Sequence, residues 1–142
     1  MNKTYILLVL SYFFFISDIN GQKAALSNTD TIKIGLLVNN AKSHAAKNAS
    51  EMAISIANKK AIAGDPYFKL IVRNMDGPWG NGSKEAVNLI FEEKVWALMG
   101  SHDGRNAHLV EQVIAKINIP FLSAWASDPT LSQAFVPWYF SC

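Results

Sequence analysis

The order of apolar periodicities along the chain constrains the fold more than any other feature. Short β-rich runs alternate with segments whose apolar residues recur at helical spacing. Thr31 to Val38 (TIKIGLLV) opens the series and stops at Asn39-Asn40. Ala45, Ala49, Met52, Ala53, Ile56 and Ala57 then define one face of a helix. Gly64 and Asp65-Pro66 stop that helix. Tyr67 to Asn74 (YFKLIVRN) is a second strand, and Asp76 to Ser83 (DGPWGNGS) is a loop rich in Gly and Pro. Ser83 is placed to cap a helix carrying Ala86, Leu89 and Ile90. Val95 to Met99 (VWALM) is a third strand ending at Gly100. Ala107, Val110, Val113, Ile114 and Ile117 form the next helical face, and Ile119 to Leu122 the fourth strand. Pro129 to Gln133 reads as a short helix and Val136 to Phe140 as the start of a fifth strand. This alternation predicts βαβ units, hence an α/β fold with a three-layer, doubly wound, mostly parallel sheet. Right-handed crossovers then put helices on both of its faces.

Charge and cysteine content narrow the function. With 13 basic and 11 acidic residues the formal net charge is +2. No basic stripe is visible, which argues against a nucleic-acid partner. Cys142, the single cysteine, is the last residue, so no intramolecular disulfide is expected. At the other end, Lys3 precedes the twelve-residue apolar run Tyr5 to Ile16 (YILLVLSYFFFI). That run is too short for a comfortable membrane span. Small polar residues follow, so residues 1–21 read as a secretory signal and 22–30 as a flexible lead-in. The folded part begins at Thr31 and works in the periplasm or as a secreted protein, resting on its core rather than on disulfides.

In open parallel sheets, ligands bind beyond the carboxyl ends of the strands. Here those ends are Asn39-Asn40, Met75-Asp76-Gly77, Gly100 to Asn106 and Ser123 to Asp128, all rich in small polar residues. In GSHDGRN (100–106), glycines permit close backbone approach. The helix starting near Asn106 offers free N–H groups to an anion, and Arg105 adds charge. The plainer reading is that Asp103 or Asn106 caps the helix while Arg105 faces water. In PFLSAWASDP (120–129), Ser123 and Ser127 offer hydroxyls and Trp125 an indole. The plainer reading there buries Trp125 against the next helix. Trp79 is either a lid over the crevice or an exposed packing residue. His44, His102 and His108 lack ligand spacing, so no metal is expected, and no cofactor fingerprint appears.

Ile32 to Val38 with its helix, and then Val95 to Ser132, resemble type I periplasmic binding proteins. The resemblance is to the leucine/isoleucine/valine-binding branch of ABC-transporter solute-binding proteins. It rests on Gly100, a polar loop, a helix, Ile119-Pro120, and the series Ser123, Ser127, Pro129 and Leu131. It implies a Rossmann-like (flavodoxin-like) first lobe, 31–142, of a two-lobed clamshell. It further implies that the second lobe is absent from this sequence. An amino acid or related small carboxylate would be held between the lobes and passed to an ABC permease. The family's loop serine matches Gly104, whose backbone N–H can serve, with Arg105 and Asn106 beside it. The backbone of the Trp125-Ala126-Ser127 stretch and the Ser127 hydroxyl match the rest of the grip. The resemblance implies no catalysis. A signalling ectodomain is the alternative, and a flavodoxin-like enzyme a more distant one.

Overall fold

The computed structural model describes residues 31–40, 43–100 and 103–142. The expected signal segment and lead-in, and His102, lie outside the described residues. Five strands, β1 (Thr31–Val38), β2 (Tyr67–Asn74), β3 (Ala97–Gly100), β4 (Phe121–Ser123) and β5 (Tyr139–Ser141), form one sheet. Its order is β2-β1-β3-β4-β5 and every pairing is parallel. The predicted doubly wound α/β sheet is therefore the observed one. No described helix is long and apolar enough to cross a membrane.

Four helices connect the strands: α1 (His44–Lys60), α2 (Asn81–Val87), α3 (Gly104–Ile117) and α4 (Pro129–Gln133). Alternate residues of β1 show how they are layered. Leu37 points into a core with Leu98, Phe121, Ala86, Leu89, Val110, Ile114 and Leu131, which belong to β3, β4 and the α2, α3 and α4 regions. Leu36 and Val38 point the other way, toward Ala46 of α1. β1 is thus buried on both faces, which explains its unbroken apolar run. Each large side chain buried in this way contributes about 1.5–3 kcal/mol.

Two helices depart from the expectation. The inward face of α1 carries Ala46 and Ser50, whereas Met52 and Ile56 are exposed. The reason lies one turn further on. Asn58 Nδ2 donates to Phe68 O, and Phe68 N–H donates to Asn58 Oδ1, both at 2.9 Å. These bonds satisfy the backbone of edge strand β2 and fix the rotation of α1 to the 46/50/54/58 stripe. α2 begins at Asn81, and Ser83 does not cap it. Ser83 lies inside the first turn with its hydroxyl donated back to Gly80 O. The helix then widens into a π turn over Asn88–Glu92, closed by Glu93 N–H donating to Asn88 O. That turn lets the consecutive Leu89 and Ile90 both face the core.

The helices that follow β1 and β3 pack on opposite faces, which makes these adjacent strands the switch point of the sheet. At that point β3 presses closely on β1. Gly100 has φ of 124°, and a Cβ there would lie 2.1 Å from Leu37 O. Only glycine fits.

Candidate functional site

Three loops at the carboxyl rim carry the candidate residues. The loop after β2 carries Trp79, which is 75% exposed. The turn after β3 enters α3 through Asp103. The segment after β4 carries Trp125, Ala126, Ser127 and Asp128 into α4.

Asp103 adopts extended backbone, and its Oδ1 accepts from Asn106 N–H at 2.8 Å. Its Oδ2 accepts from Asn106 Nδ2 at 3.0 Å. Of the two capping residues considered from sequence, Asp103 is the cap. Its carboxylate meets the α3 N-terminus first, and the Asn106 amide is committed to it. Asn106 also closes the α2–α3 contact: a Cβ on Gly82 would lie 2.7 Å from Asn106 Oδ1.

Arg105 is exposed, and its guanidinium sits 5.6 Å from the centre of the Trp79 ring. At an exposed site such a cation–π contact is worth about 0.5–1 kcal/mol. It joins the β2 loop to the start of α3. Sequence reasoning singled out both residues without pairing them, because no local signal links positions so far apart in the chain.

Gly104 meets the other corner. A Cβ on Gly104 would lie 2.6 Å from Asp128 Cβ and 2.8 Å from Asp128 Oδ2. The two corners expected to cooperate are therefore in direct contact, with the Asp128 side chain filling the seam. Asp128 caps α4: Oδ1 accepts from Thr130 N–H at 2.9 Å and from the Thr130 hydroxyl at 2.6 Å. These bonds, the hydroxyl's first, hold its pKa below the usual carboxylate value.

Ser127 is exposed, Trp125 is 42% exposed and Ala126 is half-buried against the core. Trp125 is thus not buried beneath the next helix. Ser123 corrects the expectation. Its side chain is fully buried on the helix-covered face of β4, away from solvent. It lies beside Tyr139 of β5, and neither hydroxyl finds a full hydrogen-bond partner. Glu111 on α3 is also buried, with Oε1 unpartnered and Oε2 3.0 Å from His108 Nδ1. Burial raises its pKa, and the neighbouring His108 partly offsets that rise.

A notch of about 160 Å³ lies between Ala126–Pro129 and the end of β5. Ligand cavities usually measure about 300–1,000 Å³, so this one alone is too small to enclose an amino acid. A concavity of about 340 Å³ lies on the loop after β2, lined by Pro78, Trp79, Gly80, Asn81 and Lys84, and two still larger ones lie away from the rim. One runs along α1 and β2, the other between the α2 region and α3. Both are open grooves lined by mixed polar and apolar side chains, and neither lies at the carboxyl ends of the strands.

The family described as the receptor family ligand binding region matches residues 45–136. That is well over half of the 142 residues. The chain belongs to this family. Among solved structures, it resembles the branched-chain amino-acid transporter substrate-binding protein LivJ of Streptococcus pneumoniae, in complex with isoleucine. The TM-score is 0.69 at 19% identity, over 79% of this chain and 33% of that one. An ABC-transporter substrate-binding protein of Desulfitobacterium hafniense, complexed with Leu, gives 0.67 at 15% identity, over 79% and 34%. A solute-binding protein of Rhodopseudomonas palustris, complexed with p-hydroxybenzoic acid, gives 0.64 at 23% identity, over 79% and 31%. The chain spans about a third of the length of these structures. A search of curated proteins found no match. The structural likeness is one of fold. It agrees with the expected fold, that of a lobe of a type I periplasmic binding protein.

Proposed function

We propose that residues 31–142 form a ligand-binding lobe of a solute-binding protein that works outside the cytoplasm. In this reading the lobe is one half of a clamshell, and a second lobe closes over its rim. The ligand is a small carboxylate of the amino-acid type. Its carboxylate is gripped by Arg105, the Gly104 backbone and the Ser127 hydroxyl, and its apolar part packs on Trp125. Asp128 stands beside this grip as a partner for an ammonium group. The carrying observation is the contact of Gly104 with Asp128, which brings the start of α3 and the end of β4 to one rim. Ser123 has no part in the grip, because it is buried beneath the rim. Binding alone is the chemistry proposed, with delivery to an ABC permease as its outcome.

A second reading keeps the same grip in the ectodomain of a signalling receptor. The description of the matched family as a receptor region favours it.

The test of the shared core is calorimetric titration with isoleucine, leucine and 4-hydroxybenzoate. Binding that weakens in both Arg105→Ala and Ser127→Ala supports the grip. Binding unaffected by either substitution removes the rim from the site. A lobe making half the contacts should bind weakly, so sub-micromolar affinity for this chain alone would overturn the clamshell reading.

A further inference from the structure

His108 stands where two elements meet beside the candidate rim. It belongs to α3, and its ring reaches the segment after β4. Nδ1 lies 3.0 Å from Glu111 Oε2. Nε2 lies 2.8 Å from Thr130 Oγ1 and 3.4 Å from Asp128 Oδ2.

Hydrogen accounting restricts what this cluster can be. The Thr130 hydroxyl gives its one hydrogen to Asp128 Oδ1. Its oxygen must then accept from Nε2–H, so Nε2 carries a hydrogen. The contact between Nδ1 and Glu111 Oε2 needs one more. That proton sits on Nδ1 as an imidazolium–carboxylate pair, or on Glu111 as a neutral pair. Without it, two lone pairs face each other across 3.0 Å. One of them belongs to a carboxylate that is 3% exposed and whose other oxygen has no partner.

We propose that the proton shared by His108 and Glu111 is a latch holding the Trp125–Asp128 corner against α3, which makes His108 a positioning residue for that corner. The latch rests on these contacts; its bearing on ligand capture rests on the binding reading above. The titratable groups around the ring are Glu111 from its own helix, Asp128 from the α4 cap and Tyr139 from β5, close to both carboxylates. None of the three is a cation that replaces the lost proton. Burial of Glu111 favours retention of the proton beyond the usual carboxyl range. Once it leaves, the lone pairs of Nδ1 and Glu111 Oε2 repel each other, the ring turns from Glu111, and the Nε2–H contact with Thr130 and Asp128 moves with it.

The experiment is ¹⁵N NMR of the full chain across about pH 4–9, from the ordinary carboxyl range upward. It follows the His108 ring nitrogens and the amides of Trp125, Ala126 and Ser127. A common step in the ring and the corner amides is expected. Glu111→Gln should abolish the corner step, because a carboxamide turns its oxygen to a protonated Nδ1 and its N–H to an unprotonated one, and so meets either form of the ring. His108→Gln, at a half-exposed position, should hold the corner amides at their high-pH shifts throughout. Corner amides that stay flat in the unsubstituted protein overturn the latch, as does a corner step that survives in both variants. Affinity for isoleucine over the same range separates the two readings. A step in the free protein with flat or undetectable affinity upholds the latch and counts against this corner as the ligand site. The absence of a step overturns the latch whatever the affinity does.

Discussion

Gly100→Ala tests the close approach of β3 to β1 at the switch point. The new Cβ would lie 2.1 Å from Leu37 O and 3.0 Å from Leu37 C and N. A tolerable carbon–oxygen contact is about 3.3 Å, so the strands must part by roughly 1 Å. Strands sit about 4.8 Å apart, and hydrogen bonds near 2.9 Å do not survive that opening. The pairs in question are Leu36 with Met99 and Leu37 with Gly100. Losing two buried backbone hydrogen bonds costs about 2–3 kcal/mol. Placing a side chain at positive φ adds about 1–2 kcal/mol. The total, about 3–5 kcal/mol, is a large share of the roughly 5–15 kcal/mol that holds a domain together.

A control separates the two contributions. Gly64 also has positive φ, 100°, but a Cβ there meets nothing within 4 Å. Gly64→Ala should therefore cost only the conformational part, about 1 kcal/mol. Urea unfolding followed by far-UV circular dichroism reads both. With a slope of about 1–1.5 kcal/mol per molar, Gly100→Ala should lower the midpoint by about 2–5 M and Gly64→Ala by about 1 M or less. Equal shifts in the two variants would refute the argument, because strand approach would then contribute nothing.

Asn58→Ala removes both bonds to the Phe68 backbone and should cost about 1–3 kcal/mol in the same urea assay, with faster amide exchange at Phe68. Ser127→Ala should weaken carboxylate binding by about 1–2 kcal/mol in calorimetry if its hydroxyl bonds the ligand. Trp79→Ala should act through Arg105, lowering affinity by no more than about 1 kcal/mol. Stability should respond to pH from both sides. Glu111, raised by burial, binds its proton more tightly in the folded state, so its contribution favours folding at low pH and is lost as pH rises through the raised value. Asp128, lowered by its bonds from Thr130, contributes above its ordinary value and loses that contribution as pH falls. Urea midpoints against pH should show the neutral-side decline flattened in Glu111→Gln and the acid-side decline flattened in Asp128→Asn.

The strands were legible because a parallel sheet demands apolar runs, and nothing else in the chain competes for them. The ranges of β1, β2 and α4 read from sequence coincide with the observed ones. The orientation of α1 was not legible. The stripe of Ala45, Ala49, Met52, Ala53, Ile56 and Ala57 is the more apolar, yet Ala46, Ser50, Ile54 and Asn58 face inward, because Asn58 fixes the helix through the backbone of β2. Periodicity counts apolar side chains and cannot register a tertiary hydrogen bond. Ser123 was misread for a related reason. The strand was expected to end at Leu122, which put Ser123 on the rim. It instead continues one residue, and alternation turns the hydroxyl inward. The Arg105–Trp79 contact joins residues whose separation depends on the α2–α3 packing, which follows from the fold as a whole.

The rim divides its polar residues into two groups, and the division bears on specificity. Asp103, Asn106 and Asp128 are engaged in caps, while His108 and Glu111 join α3 to the corner. Arg105, Trp125 and Ser127 keep exposed surface, and Arg105 is steadied by Trp79. The first group places the second. Substitution in the first should lower stability and affinity together, since the frame moves with the grip. Substitution in the second should change which ligand is preferred while leaving the unfolding free energy within about 0.5 kcal/mol of the parent. Trp125 is the sharpest case. In the proposed grip the indole takes up room beside the ligand, so Trp125→Ala should favour bulkier ligands over smaller ones without unfolding the lobe. A loss of stability in Trp125→Ala comparable to that of a core truncation would place the indole in the frame and leave Arg105 and Ser127 alone to choose the ligand.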